Sequence, residues 1–99
     1  VLLKPLIWGE RDGDLIWGVV RGTAGTHGGR GSALPVPRSG AQAAVVRAAL
    51  DDAGLAPADI SLIETHGTAT RLGDPIELAA LTEVFGSDPD REGPVHLGA

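Results

Sequence analysis

Ninety-nine residues carrying a net charge of −5, with 42% hydrophobic and 21% charged side chains, suit one small globular unit; a chain of this size buries only about 60–65% of its unfolded surface. That balance argues against disorder, and the scattered Lys and Arg argue against a nucleic-acid partner or an anionic membrane surface. With no cysteine, disulfides, thiolate metal sites and thiol nucleophiles are excluded within these residues.

No apolar run reaches the roughly 18–20 residues of a membrane span, and no charged leader with a cleavage site opens the chain. The expectation is a cytoplasmic protein without membrane contact. The chain opens on Val1-Leu2-Leu3 and closes on Val95-His96-Leu97-Gly98-Ala99. Both ends read as strands in want of pairing partners, so the further expectation is an internal segment of a larger protein.

Val1 to Trp8 is mainly apolar, with Lys4-Pro5 marking an edge or strand end. The polar run Gly9 to Asp14 carries an Asp-Gly turn, and Leu15 to Arg21 reads as the next strand, so the pair predicts a hairpin. From Gly22 to Arg38, repeated Gly and two Pro defeat both periodicities. Such a stretch is uncommon in a compact domain unless it is functional or packed by other chain.

Ser39-Gly40-Ala41-Gln42 matches a capping box, and apolar residues recur at Ala41, Ala44, Val45, Ala48 and Ala49 before Gly54; an amphipathic helix follows. Ile60 to Thr65 reads as a short strand buried on at least one face. Asp74 as N-cap, Pro75 at the first helical position and Glu77 three residues on predict a second helix. Its residues Ile76 to Phe85 leave only a narrow polar stripe. Gly86 ends it, and a polar loop leads to the last strand. Strand, helix, strand in this order favours a crossover between neighbouring parallel strands, and ligands gather beyond the carboxyl ends of such strands.

The loop Gly25-Thr26-His27-Gly28-Gly29-Arg30-Gly31-Ser32 lacks the Gly-Lys pair of a phosphate loop, and no Gly-x-Gly-x-x-Gly opens a helix. His27, His66 and His96 show no zinc spacing, so no metal is expected. A lone strand-end histidine is more often structural than catalytic. His66 differs in its company: Gly67 permits close backbone approach, and Thr68 and Thr70 can face one ligand. The chemistry suggested is an imidazole N–H donated to a developing oxyanion, with hydroxyls holding a polar substrate arm.

At these residues a family resemblance enters. The run Glu64 to Glu77, Glu-Thr-His-Gly-Thr-Ala-Thr-Arg-Leu-Gly-Asp-Pro-Ile-Glu, strongly resembles the signature block E-A-H-G-T-G-T-x-L-G-D-P-I-E of ketosynthase (beta-ketoacyl synthase) domains of type I modular polyketide synthases. Val1 to Leu6, Val20 to Ala24, His27 to Arg30, Ala41 to Val45 and Val95 to Ala99 resemble the family in its order. Ala69 departs from it, standing where the second glycine is usual. A methyl is tolerable there if φ is negative and strained if positive.

The resemblance implies an α/β, thiolase-like fold with a mixed sheet packed by helices. Residues 1–38 would end its first half and 39–99 start its second. It implies decarboxylative Claisen condensation of an acyl chain with a malonyl-type extender on an acyl carrier protein. His66 would stabilise the thioester enolate, and Thr68 and Thr70 would hydrogen-bond the phosphopantetheine arm. The 4′-phosphopantetheine is carried by the acyl carrier protein, and no cofactor is bound by this chain itself. The nucleophilic Cys and second His would lie outside these residues, in the remaining ketosynthase chain, and the full-length protein would be a homodimer. The alternative is a non-elongating, ketosynthase-like domain that binds carrier protein as a scaffold.

Overall fold

The computed structural model describes residues 1–25, 38–86 and 89–99. Most of the Gly-rich connection, with His27 and Arg30, lies outside the described residues. The elements in chain order are helix α1 (Leu6–Asp12), helix α2 (Ser39–Ala53), a single 3-10 turn (Pro57–Asp59), strand β1 (Leu62–Glu64), helix α3 (Gly73–Phe85) and strand β2 (His96–Gly98).

The expected N-terminal hairpin is not formed. Leu6–Asp12 is helical, and residues 15–21 pair with neither strand of the sheet. A strand is stabilised only by a ladder partner, whereas a helix satisfies its hydrogen bonds locally. Here the local signals suffice. The Pro5 carbonyl accepts the N–H groups of Trp8 at 3.0 Å and Gly9 at 3.1 Å. Gly13 then closes the helix at φ 70°, so the Asp-Gly pair that suggested a hairpin turn serves a helix C-terminus, both devices using the same left-handed conformation. Lys4 bridges Asp12 at 2.7 Å and Asp14 at 2.5 Å. Those two carboxylates raise the Lys4 pKa, while Arg11 and then Lys4 lower that of Asp12. Both groups are exposed, so the cluster adds little to stability.

Helix α2 stops at Gly54 (φ 65°) as the sequence predicts, but it begins at Ser39, and no side-chain hydrogen bond caps it. The Arg38 carbonyl receives the N–H groups of Ala41 and Gln42 instead. Its buried side also differs from the expected stripe. Ala43 and Leu50 are buried and Val46 packs beside them, whereas Ala41, Ala44 and Ala48 are exposed. At 3.6 residues per turn these sets lie on opposite sides of the helix. An alanine stripe carries little apolar area, so the side bearing Leu50 and Val46 wins the contact with α3.

That contact is the core: Ala43 and Leu50 of α2 meet Ala80 and Val84 of α3, flanked by Leu55, Ile60 and Phe85. Arg47 and Glu83 pair across the two helices at 2.9 Å. The chain at residue 22 lies against the far end of α2. A Cβ on Gly22 would stand 2.6 Å from the Ala49 carbonyl oxygen and 2.5 Å from the Ala53 nitrogen, so only glycine allows this approach. Beside it the Asp52 carboxylate accepts the Thr23 N–H at 2.9 Å.

Strands β1 and β2 pair in parallel, with Leu62 opposite His96 and Glu64 opposite Gly98. Helix α3 is the connection between them, as the element order predicts. The ladder continues past the assigned ends: the Gly98 carbonyl accepts the Thr65 N–H at 2.7 Å, and Ser61 accepts that of His96 at 2.9 Å. Arg91 braces the entry to β1 by donating to the carbonyls of Ile60 and Pro57.

Much apolar surface is left open. The accessible area is 7989 Å², against roughly 5,300 Å² for a folded monomer of this size. The radius of gyration is 16.2 Å, against about 13 Å for a compact chain of a hundred residues. Leu2, Leu15 and Trp17 are among the most exposed side chains. On α3, expected to be covered nearly all round, Leu78 is 54% exposed. Among the described residues the buried core is Ala43, Leu50, Ala80 and Val84, small or medium side chains that cannot cover these faces.

Candidate functional site

The site is the stretch that leaves the carboxyl end of β1 and enters α3. Residues 65–72 carry no repetitive structure, and the turn is shaped by two left-handed residues, Gly67 (φ 48°) and Ala69 (φ 58°). His66, Thr68 and Thr70 all lie on it and are exposed.

Glu77, in the second turn of α3, reaches back to hold the start of the turn. Its carboxylate accepts the His66 N–H at 2.8 Å and the Gly67 N–H at 3.3 Å, one on each oxygen. The expected capping box, with Asp74 as N-cap, is therefore not formed. Helix α3 begins at Gly73, and the Thr70 hydroxyl oxygen accepts the Gly73 N–H at 3.0 Å. Pro75 still sits in the first helical turn, where its missing N–H leaves no intrahelical bond unmade. Thr70 thus caps the helix, and its hydroxyl keeps one proton to donate.

A second brace comes from β2. The Thr65 hydroxyl donates to the Gly98 carbonyl at 2.9 Å. Gly67 sits on the end of that strand, where an added Cβ would be 2.5 Å from the Ala99 Cβ and 3.1 Å from the Thr65 Oγ1. Ala69 is different: it holds a methyl in left-handed backbone, which costs about 1–2 kcal/mol. Glycine relieves that cost but returns about 0.4–1 kcal/mol through the greater freedom of its unfolded state. Ala69→Gly is therefore expected to stabilise by about 0.5–1 kcal/mol, read as a higher denaturation midpoint at unchanged m-value.

A groove of about 320 Å³ opens beside the turn, lined by Thr65, Gly67, Asp74, Glu77, Leu78, Leu81, Leu97, Gly98 and Ala99. His66, Thr68 and Thr70 are not among its lining residues. The structure brings the three predicted residues onto one short turn at the end of a parallel strand, beside the groove and outside its lining. Residue spacing missed the bracing roles of Glu77 and Thr65, because each reaches a partner that only the strand–helix geometry brings near. Among the described residues no group of His, Asp and Glu could hold a metal ion, and no helix is long and apolar enough to cross a membrane.

Residues 17–99 match the family model of the beta-ketoacyl synthase C-terminal domain, and the chain belongs to that family. It is 61% identical over 87 residues to the PKS-NRPS hybrid synthetase acdB of Aspergillus candidus, covering 87% of this chain and 4% of that protein. It is 50% identical over 99 residues to polyketide synthase ThaG of Burkholderia thailandensis, covering 99% of this chain and 2% of that one. Among solved structures it resembles the oxazolomycin ketosynthase domain OzmH KS7 of Streptomyces albus JA3453, with a TM-score of 0.74 and 46% identity. That match covers 86% of this chain and 15% of the other. The fold is accordingly the thiolase-like α/β fold of ketosynthases, and the chain spans a small part of the length of the proteins it matches.

Proposed function

We propose that this chain is one segment of a beta-ketoacyl synthase that condenses acyl chains with malonyl-type extenders in polyketide biosynthesis. The observation that carries the reading is the high identity, over nearly the whole chain, to ketosynthase-bearing polyketide synthases. The structure supports it by presenting an exposed imidazole at the end of a parallel strand, where α/β folds bind ligands.

In this reading, Glu64 to Glu77 is the segment's share of the active site. The extender arrives as a malonyl-type thioester on the phosphopantetheine arm of an acyl carrier protein, and Thr68 and Thr70 hydrogen-bond that arm. The bond between the carboxylate and the α-carbon breaks, CO₂ leaves, and the electron pair passes into the thioester as an enolate. His66 donates an imidazole N–H to the enolate oxygen. The α-carbon then attacks the acyl thioester held on the enzyme's cysteine; the new C–C bond forms and the thiolate departs. That cysteine and a second histidine belong to the remaining ketosynthase chain, where residues 1–38 close the first half of the fold and 39–99 open the second.

The open apolar surface fits this assignment, since further ketosynthase chain and a second subunit would cover it. The 99-residue chain alone is inactive in this reading, and the full-length homodimer works in the cytoplasm. The test is a single-turnover assay on the full-length protein that follows acyl loading and CO₂ release separately. Loading followed by CO₂ release and a β-ketoacyl product supports condensation. Stable carrier-protein binding without CO₂ release overturns it in favour of a non-elongating scaffold.

A further inference from the structure

We infer that Glu77 is a positioning residue for His66, acting through the backbone of the turn and not through the imidazole. The inference rests on the proposed role of His66 at the enolate oxygen. It starts from the two-point grip of Glu77, whose Oε1 takes the His66 N–H and whose Oε2 takes the Gly67 N–H. One carboxylate holding two adjacent amides fixes the two peptide planes that flank the His66 Cα. Together those planes set where the His66 Cα–Cβ bond points. A turn containing two left-handed residues has no helical or sheet hydrogen bonds of its own to do this.

The chemistry needs a carboxylate. Glutamine has the same shape but offers one acceptor oxygen, and its NH₂ would face one of the two N–H donors. Aspartate is shorter by one methylene and cannot span from α3 to both amides. Thr65 anchors the chain just before His66 by its hydroxyl bond to the Gly98 carbonyl, at a position where the family block carries alanine. The direction of His66 is therefore set jointly by α3 and β2.

The test uses the full-length synthase with Glu77→Gln, Glu77→Ala and His66→Ala. Glu77→Gln is expected to lower kcat for decarboxylation about tenfold, the factor matching one lost hydrogen bond to a charged group. Its KM for the carrier-bound extender and its self-acylation rate should stay within twofold of wild type, a split that general destabilisation would not produce. Hydrogen exchange at the His66 and Gly67 amides should accelerate in both Glu77 variants whatever the catalytic outcome. Unchanged exchange overturns the clamp, as does unchanged kcat in Glu77→Ala when His66→Ala is inactive. Full activity of His66→Ala with accelerated exchange in the Glu77 variants instead overturns the role proposed for His66 and leaves the clamp supported.

Discussion

Replacing His66 by alanine in the full-length synthase is expected to lower decarboxylation and condensation by about 10²–10³-fold while self-acylation continues. The size follows from what is removed. One preorganised N–H aimed at a developing oxyanion contributes about 3–4 kcal/mol where water is excluded, and each 1.36 kcal/mol is tenfold in rate. Self-acylation is spared because it draws on the cysteine and the acyl thioester, not on the malonyl enolate. His66→Gln keeps an N–H donor on a longer, less rigid arm and should recover part of the loss. The measurement is CO₂ release beside mass detection of the acylated enzyme. Unchanged condensation in the alanine variant would remove His66 from its assigned step.

The largest expected effect on stability is at Gly67. Its φ of 48° lies in the left-handed region, where a Cβ costs about 1–2 kcal/mol. The added methyl would also stand 2.5 Å from Ala99 Cβ, and overpacking of that kind costs about 1–3 kcal/mol. Gly67→Ala should therefore destabilise by about 2–4 kcal/mol, read from the shift in denaturation midpoint. Activity should fall as well, because the displaced turn carries the His66 peptide with it. A variant as stable as wild type would show that the turn does not rest on the end of β2. Ala69→Gly, in the same turn and in the same backbone region, should move stability the opposite way. The pair thus separates backbone strain from the close approach peculiar to Gly67.

The parts of this chain that could be read from the sequence are those in which a residue's own backbone preference decides the outcome. Gly54 ends α2 and Pro75 sits in the opening turn of α3, because a left-handed glycine and a proline without an N–H are settled within one turn of chain. The parallel pairing of β1 and β2 around α3 followed from the order of elements, and the block Glu64 to Glu77 carried the family likeness. At Ala69 a methyl is strained wherever φ is positive, and its φ is 58°.

Tertiary structure decided whatever depends on which surfaces meet. Leu6–Asp12 became a helix because a strand there would need a ladder partner, which no local pattern can supply. The buried side of α2 was set by where Leu50 and Val46 meet Ala80 and Val84, while the alanine stripe on the other side stayed outward. The capping box expected of Asp74 and Glu77 gave way to other contacts: the Thr70 hydroxyl accepts the Gly73 N–H at the start of α3, and Glu77 reaches across to the amides of His66 and Gly67. The sequence by itself determined the family and the one turn that carries His66, Thr68 and Thr70. Only the packing of α3 and β2 against that turn decided how His66 is held, since hydrogen bonds between residues eleven and thirty-three positions apart exist only after the strands and helix have come together.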